Sequence, residues 1–212
     1  MTPEFQAILR DLRELQTTGG SQDFFGASEH KYELNPTVRE ATILEFEAKH
    51  FIELPIEYRC FLTEVGNGGA GPYYGLFKLG EIDSDWDHCL WDECPGFVGD
   101  LSAPFPHTEH WNDLTGEPCY GSLADEIYEQ QLTLFENHYF ASANINGAIP
   151  ICHIGCNLRH LLIVTGPERG YVWLDERADR KGLSPLAGSD GERVTFYRWY
   201  RDWLDEALSW NK

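Results

Sequence analysis

Leu54-Pro-Ile-Glu-Tyr-Arg-Cys-Phe-Leu-Thr-Glu-Val-Gly66-Asn-Gly-Gly-Ala-Gly-Pro-Tyr-Tyr-Gly-Leu-Phe77 compresses a short helix, a glycine turn and an incoming strand into one continuous stretch. Tyr58, Phe61, Leu62 and Val65 follow the i, i+3, i+4, i+7 spacing of one helix face. Pro55 suits the first turn, where no backbone donor is needed, and Gly66 suits a left-handed residue closing the helix. Tyr73 to Leu79 then reads as a strand. The run Gly66-Asn-Gly68-Gly-Ala-Gly71 formally spells the G-x-G-x-x-G of dinucleotide-binding loops. Such a loop follows a strand and opens a helix whose N-terminus holds the pyrophosphate. Here the order is reversed and no Gly-Lys-Ser/Thr follows, so the glycines are read as a backbone turn.

Working outward, a first helix is predicted from Pro3 to about Gln16, with Phe5, Ile8, Leu9, Leu12 and Leu15 on one face. Thr17-Thr-Gly-Gly-Ser21 ends it, and Gln22 to Glu33 reads as a loop with Phe24 and Phe25 as anchors. A second helix is expected to begin around Asn35-Pro36-Thr37, where Thr37 and Glu40 have capping-box spacing. Val38, Ala41, Leu44 and Ala48 would be its core stripe. Glu81 to Tyr120, with Pro95, Pro104, Pro106 and Pro118, reads as long loops with little regular structure. Ser122 to Phe135 is predicted helical. Gly147–Ile154, His160–Thr165 and Gly170–Asp175 are short strands, and their short connections imply antiparallel pairing. The last helix places Phe196, Trp199, Tyr200, Trp203, Leu204, Ala207 and Leu208 on one face, with Arg198, Arg201, Asp202 and Glu206 opposite.

A chain of 212 residues with 42% apolar and 14% aromatic residues has material for a sizeable core, which excludes a disordered protein. The start Met1-Thr-Pro-Glu-Phe-Gln lacks a basic, apolar leader, and Leu161-Leu-Ile-Val164 is far too short for a membrane span. A soluble, cytoplasmic protein is therefore expected. Its six cysteines are expected to be reduced thiols rather than a disulfide framework.

Charge is the second large signal. The formal net charge is −19, and between Leu79 and Leu158 the chain has 14 Asp and Glu but no Lys or Arg. So one-sided a field repels nucleic acid and anionic membrane and attracts cationic partners. A merely solubilising surface is the plain alternative. Trp86, Trp91, Phe97, Phe105, Trp111 and Tyr120 are interleaved with these acids. Interface centres favour aromatic anchors, and flanking charges steer the partner. The candidate partner-binding residues are Asp83, Asp85, Trp86, Asp87, Trp91, Asp92 and Glu93. Phe105 and Trp111 are read instead as side chains that pin loops to the core.

Other chemistry is weakly specified. Cys152-His-Ile-Gly-Cys156 with His160, Asp87-His-Cys89 with Cys94, and His107 with His110 are residue types that could supply zinc ligands. On a strand, Cys152 and Ile154 would point one way and Ile151 and His153 the other, which makes Cys152 a core thiol. Asp85, Asp87, Asp92 and Glu93 as catalytic carboxylates, or Cys119 with His110 as a nucleophilic pair, have nothing in the pattern to distinguish them. No cofactor, metal or catalytic residue is assigned.

The run from Leu54 to Phe77 closely resembles the signature of the SUKH superfamily. That group includes fungal cell-wall-synthesis regulators of the Smi/Knr type and bacterial immunity proteins. Gly147-Ala-Ile-Pro-Ile-Cys-His-Ile-Gly-Cys156, Leu161-Leu-Ile-Val-Thr-Gly166, Gly170-Tyr-Val-Trp-Leu-Asp175 and Trp199-Tyr-Arg-Asp-Trp-Leu204 match its usual succession. Asn157 stands where members often have a second glycine, which bears only on turn geometry. The resemblance implies an α+β fold with a mostly antiparallel sheet and helices packed against it. It divides the chain into an N-terminal helix and loop extension (1–34) and a SUKH-like domain (35–212), together one unit. It also implies a non-catalytic binding protein. The leading expectation is an immunity protein, monomeric or weakly dimeric, that neutralises a basic, nuclease-type bacterial toxin domain by direct binding. The alternative is an intracellular regulatory scaffold of the fungal type, whose members resemble this domain plus long flanks.

Overall fold

The fold was taken from a computed structural model that describes residues 2–19, 23–84, 87–91, 96–121 and 124–210. Its elements in chain order are α1 (Pro3–Thr18), α2 (Ala27–His30), α3 (Glu40–His50), α4 (Ile56–Glu64), the strands β1 (Glu81–Ser84) and β2 (Asp87–Leu90), and α5 (Asp125–Tyr139). Then follow β3 (Ala148–Gly155), β4 (Leu158–Ile163), β5 (Val172–Asp175), β6 (Leu183–Pro185) and α6 (Phe196–Trp210). The class is α+β, as the sequence implies.

The centre is a four-stranded antiparallel sheet in the order β3-β4-β5-β6. Both of its faces are covered, which explains why its strands read as nearly unbroken apolar runs. Along β4, Leu162 joins the core shared with α1, α4 and α6, while Leu161 and Ile163 join a second cluster with Phe105, Trp173 and Leu183. The β3–β4 hairpin turns through Cys156 and Asn157, both with positive φ (50° and 62°). That is the twist a two-residue hairpin needs, so Asn157 itself takes the left-handed conformation.

Packing against the first face follows the amphipathic pattern closely. Tyr58, Phe61, Leu62 and Val65 are all buried. The Phe61 ring meets Phe196 at 5.3 Å and Tyr200 at 4.8 Å. Tyr200 donates its hydroxyl to the Ala70 carbonyl at 2.8 Å, which couples α6 to the glycine turn. Glu57 of α4 accepts the Tyr197 N–H at 2.8 Å, satisfying an otherwise orphan donor in the first turn of α6. Arg201 of α6 bonds Asp11 of α1 at 2.7 Å.

Several sequence expectations are corrected. The expected stripe of Val38, Ala41, Leu44 and Ala48 is not a core stripe: Ala41, Leu44 and Ala48 are exposed, Val38 is half-buried, and Ile43 is the buried residue of α3. The helix begins at Glu40 rather than near Asn35, because the Leu34–Gly69 bridge and the Val38 N–H to Leu62 carbonyl bond keep that approach extended. Gly66 does not take a left-handed φ; Gly68 and Gly69 do. Glycine at 69 is required, since a Cβ there would lie 2.5 Å from the Glu33 carbonyl oxygen.

Residues 73–79 form no regular strand. Positive φ at Tyr73 and Gly75 breaks the run, leaving a Leu76–Cys152 bridge beside β3. In β3 an irregularity between Pro150 and Cys152 ends strict alternation, so Ile151 and Cys152 are both buried. The stretch after Gly80 carries the β1–β2 hairpin, and β6 had no clear strand pattern. Within the turn after α1, Ser21 and Gln22 lie outside the described residues, as does Ser122, where the helix now seen from Asp125 was expected to begin.

Candidate partner-binding surface

The acidic middle is built outward from the β1–β2 hairpin. Its register pairs Glu81 with Leu90, Ile82 with Cys89, Asp83 with His88 and Ser84 with Asp87. Asp83 and Asp87 therefore lie on successive rungs of the hairpin, one residue out of register with each other. Asp85, Trp86, Asp92 and Glu93 lie outside the described residues. Ile82 is fully buried and anchors the hairpin. Trp91 is half-buried and donates its indole N–H to the Glu81 carbonyl at 2.9 Å. Its ring sits edge-on to Phe46 of α3, centroids 5.8 Å apart, and Phe46, Lys49, His50, Gly80 and Leu90 share with it a pocket of about 240 Å³. Trp91 thus locks the hairpin to α3 and leaves an apolar lip beside the exposed Leu90.

Downstream, the irregular chain is fixed by short turns. Asp100 accepts the Ser102 N–H and hydroxyl, and Asp113 accepts the Thr115 N–H. These bonds hold both carboxyls below the usual range, so the turns stay anionic. Phe105 is buried against Trp173, and Trp111 stacks on Tyr139 at 5.5 Å. Both pin loops to the sheet, as expected. Tyr120 is 87% exposed.

Cations from outside the segment reach part of it. Lys78 meets Glu81, Arg193 meets Glu109, and Arg180 bridges Glu117 and Glu136 at 2.9 and 2.8 Å. Arg180 also lies over the Phe135 ring at 4.9 Å, so one guanidinium joins the loop at Glu117 to α5. Nothing in the sequence foreshadows this staple. Its signal, an arginine remote in sequence from its acids, has no local pattern.

Asp85, Asp92, Glu93 and Cys94 lie outside the described residues, and the other candidate catalytic and zinc groups with described side chains are dispersed. His110 bonds the Lys181 carbonyl and Cys119 the Tyr120 carbonyl, so they form no pair. The buried Cys152 thiol donates to the Pro72 carbonyl at 3.0 Å, and burial pushes its pKa up. Cys156 is exposed in its turn, and His107 bonds the Asn144 carbonyl. Among the described residues, no three His, Cys, Asp or Glu side chains are grouped to hold a metal. No described helix is long and apolar enough to cross a membrane.

Fold and surface together define an α+β protein whose largest chemical feature is an acidic, aromatic-bearing segment hung on an antiparallel sheet. Residues 37–189 match the SMI1 / KNR4 family (SUKH-1), and the chain belongs to that family. The family comprises generally non-catalytic immunity and regulatory proteins that bind partner proteins. No curated protein matches the chain, and no solved structure matches it.

Proposed function

We propose that this protein is a cytoplasmic immunity protein that binds a basic toxin domain and neutralises it by occlusion, without catalysis. The observation that carries the reading is the charge asymmetry: 14 carboxylates and no Lys or Arg between Leu79 and Leu158, on a chain of net charge −19. Nucleases hold phosphates with cationic clefts, so a carboxylate-rich surface takes the electrostatic positions that phosphates would occupy. Complementary fields raise association rates to about 10⁸–10⁹ M⁻¹s⁻¹ at low salt. The docking residues are Asp83, Asp85, Trp86, Asp87, Trp91, Asp92 and Glu93. Family membership supports the class, and the apolar lip of Trp91 and Leu90 supplies the desolvated centre that charge alone lacks.

Coexpression tests this function. A toxin domain encoded beside the gene is expected to arrest growth alone and to be silenced, and co-purified, with this protein. Growth arrest that persists with every neighbouring toxin domain would contradict it.

A further inference from the structure

A second, separate pocket lies between the turn at Phe24–Phe25 and α6 and encloses about 400 Å³. Trp199 and Trp203, four residues apart on α6, are its buried lining, 5% and 7% exposed. Phe25 and Tyr73, rings 6.0 Å apart and nearly perpendicular, form its exposed side. His160 of β4 sits between the Tyr73 and Trp199 rings, at 5.5 and 5.4 Å. Asp202 and Glu206, interleaved with the tryptophans along α6, also line it.

Aromatic rings attract cations through the negative face of their quadrupole, and carboxylates beside them add charge of the right sign. A site for an anion would not be lined by two acids. Asp202 is in part engaged by Arg198 at 3.5 Å, whereas Glu206 has no ion pair among the described residues. His160 supplies independent evidence of a ligand. It is 3% exposed, and its Nδ1 is buried without a hydrogen-bond partner. Burial lowers its pKa to about 4, so the imidazole is neutral at pH 7 and keeps one ring nitrogen as an acceptor. An unmade hydrogen bond at so buried a group is costly, and Trp203 Nε1 in the same lining is likewise buried without a partner.

The backbone is shaped to make this pocket. Gly26 has φ 80°, and a Cβ there would lie 1.5 Å from the Tyr73 carbonyl oxygen, so only glycine lets the aromatic turn close on Tyr73. Tyr73 itself has φ 53°, an unfavourable conformation for an aromatic residue. The bond from Cys152 to Pro72 holds the same wall.

We propose that this pocket binds an organic cation bearing N–H donors, a primary alkylammonium or a guanidinium, among Trp199, Trp203, Tyr73 and Phe25, with Glu206 as counter-charge and His160 as acceptor. The site lies outside the acidic segment and stands whether or not toxin capture does.

The test is an NMR titration of the protein alone, following the indole N–H signals of Trp199 and Trp203. The probes are n-butylammonium, n-propylguanidinium and the neutral 1-butanol. Saturable shifts are expected with both cations and not with 1-butanol at equal concentration. Affinity should fall about fivefold in Glu206→Gln and in Phe25→Ala, both exposed positions where the fold tolerates change. N-acetyl-lysine methylamide and N-acetyl-arginine methylamide distinguish the source of the cation. Tighter binding than the simple cations assigns the pocket to a protein side chain, and weaker binding assigns it to a free small amine. No response to either cation, an equal response to 1-butanol, or unchanged affinity in both variants would overturn the proposal.

Discussion

The sheet with α1, α4 and α6, and the acidic segment from β1 to α5, solve opposite problems in one chain. The first region is specified by burial. Its apolar side chains interlock, and its ion pairs close within the region, as where Arg177 grips Asp175 through two bonds of 2.9 and 2.7 Å and Arg201 reaches Asp11. From the β1–β2 hairpin to α5, the second region is specified by a few anchors (Ile82, Leu101, Phe105, Trp111), by Asp-capped turns, and by arginines borrowed from elsewhere. Its excess like charges cost some self-repulsion. Burial determines where that segment hangs, and charge determines what it can meet.

The sharpest contrast between the regions is in truncation. Phe61→Ala removes a fully buried ring from the core and is expected to cost about 3–5 kcal/mol in urea unfolding. Trp91→Ala, at the half-buried hairpin lock, should cost roughly 1–2 kcal/mol, the loss of a partly buried contact. Equal costs would mean that the hairpin belongs to the same cooperative unit as the core, and the distinction would collapse.

Acid should attack the core first. His30 and His160 are both lowered by burial to about 4, from 6.5 in the unfolded chain. The unfolded chain therefore takes up protons that the native one refuses. Stability present above pH 6.5 is lost as pH falls towards 4, by about 2 kcal/mol between pH 6 and pH 5 for the two together. Denaturant midpoints measured across that interval check the slope, and His160→Gln should reduce it by about half. A flat profile would show that these imidazoles are solvated.

Smaller effects refine the picture. Glu57→Ala, which removes the acceptor for the Tyr197 N–H, should lower stability by about 1 kcal/mol in thermal unfolding. Arg180→Gln should cost less than about 1 kcal/mol, since its ion pairs are partly exposed. It should nevertheless speed proteolytic cleavage around residues 113–121, because the staple to α5 is gone. Unchanged cleavage would show that the turn at Asp113 suffices to order that loop.

Where burial and sequence period agree, the fold was legible. The face of α4, the face of α6 and the β3–β5 antiparallel succession follow directly from residue spacing. The phase of α3 was not legible, because one buried residue, Ile43, gives no periodicity, and Glu47 is held inward by Arg59 and by the Leu54 N–H. The hairpin at Glu81 was hidden by its own acids, which disguise the alternation that Ile82 carries alone. Of the candidate partner residues, the side-chain environment of Trp91 is defined, and Asp83 and Asp87 are placed by register. The aromatic pocket was missed because Phe24, Phe25, Trp199 and Trp203 are ordinary core or anchor residues in the sequence. Only the closure at Gly26 assembles them, and that contact is non-local.

The most direct test of acidic capture is the salt dependence of toxin binding, comparing the native chain with the combined variant Asp83→Asn, Asp85→Asn, Asp87→Asn, Asp92→Asn, Glu93→Gln. Native affinity should fall steeply as sodium chloride rises, and the variant should bind weakly with a nearly flat response. Equal affinity and equal salt slopes in the two proteins would contradict capture by the carboxylates.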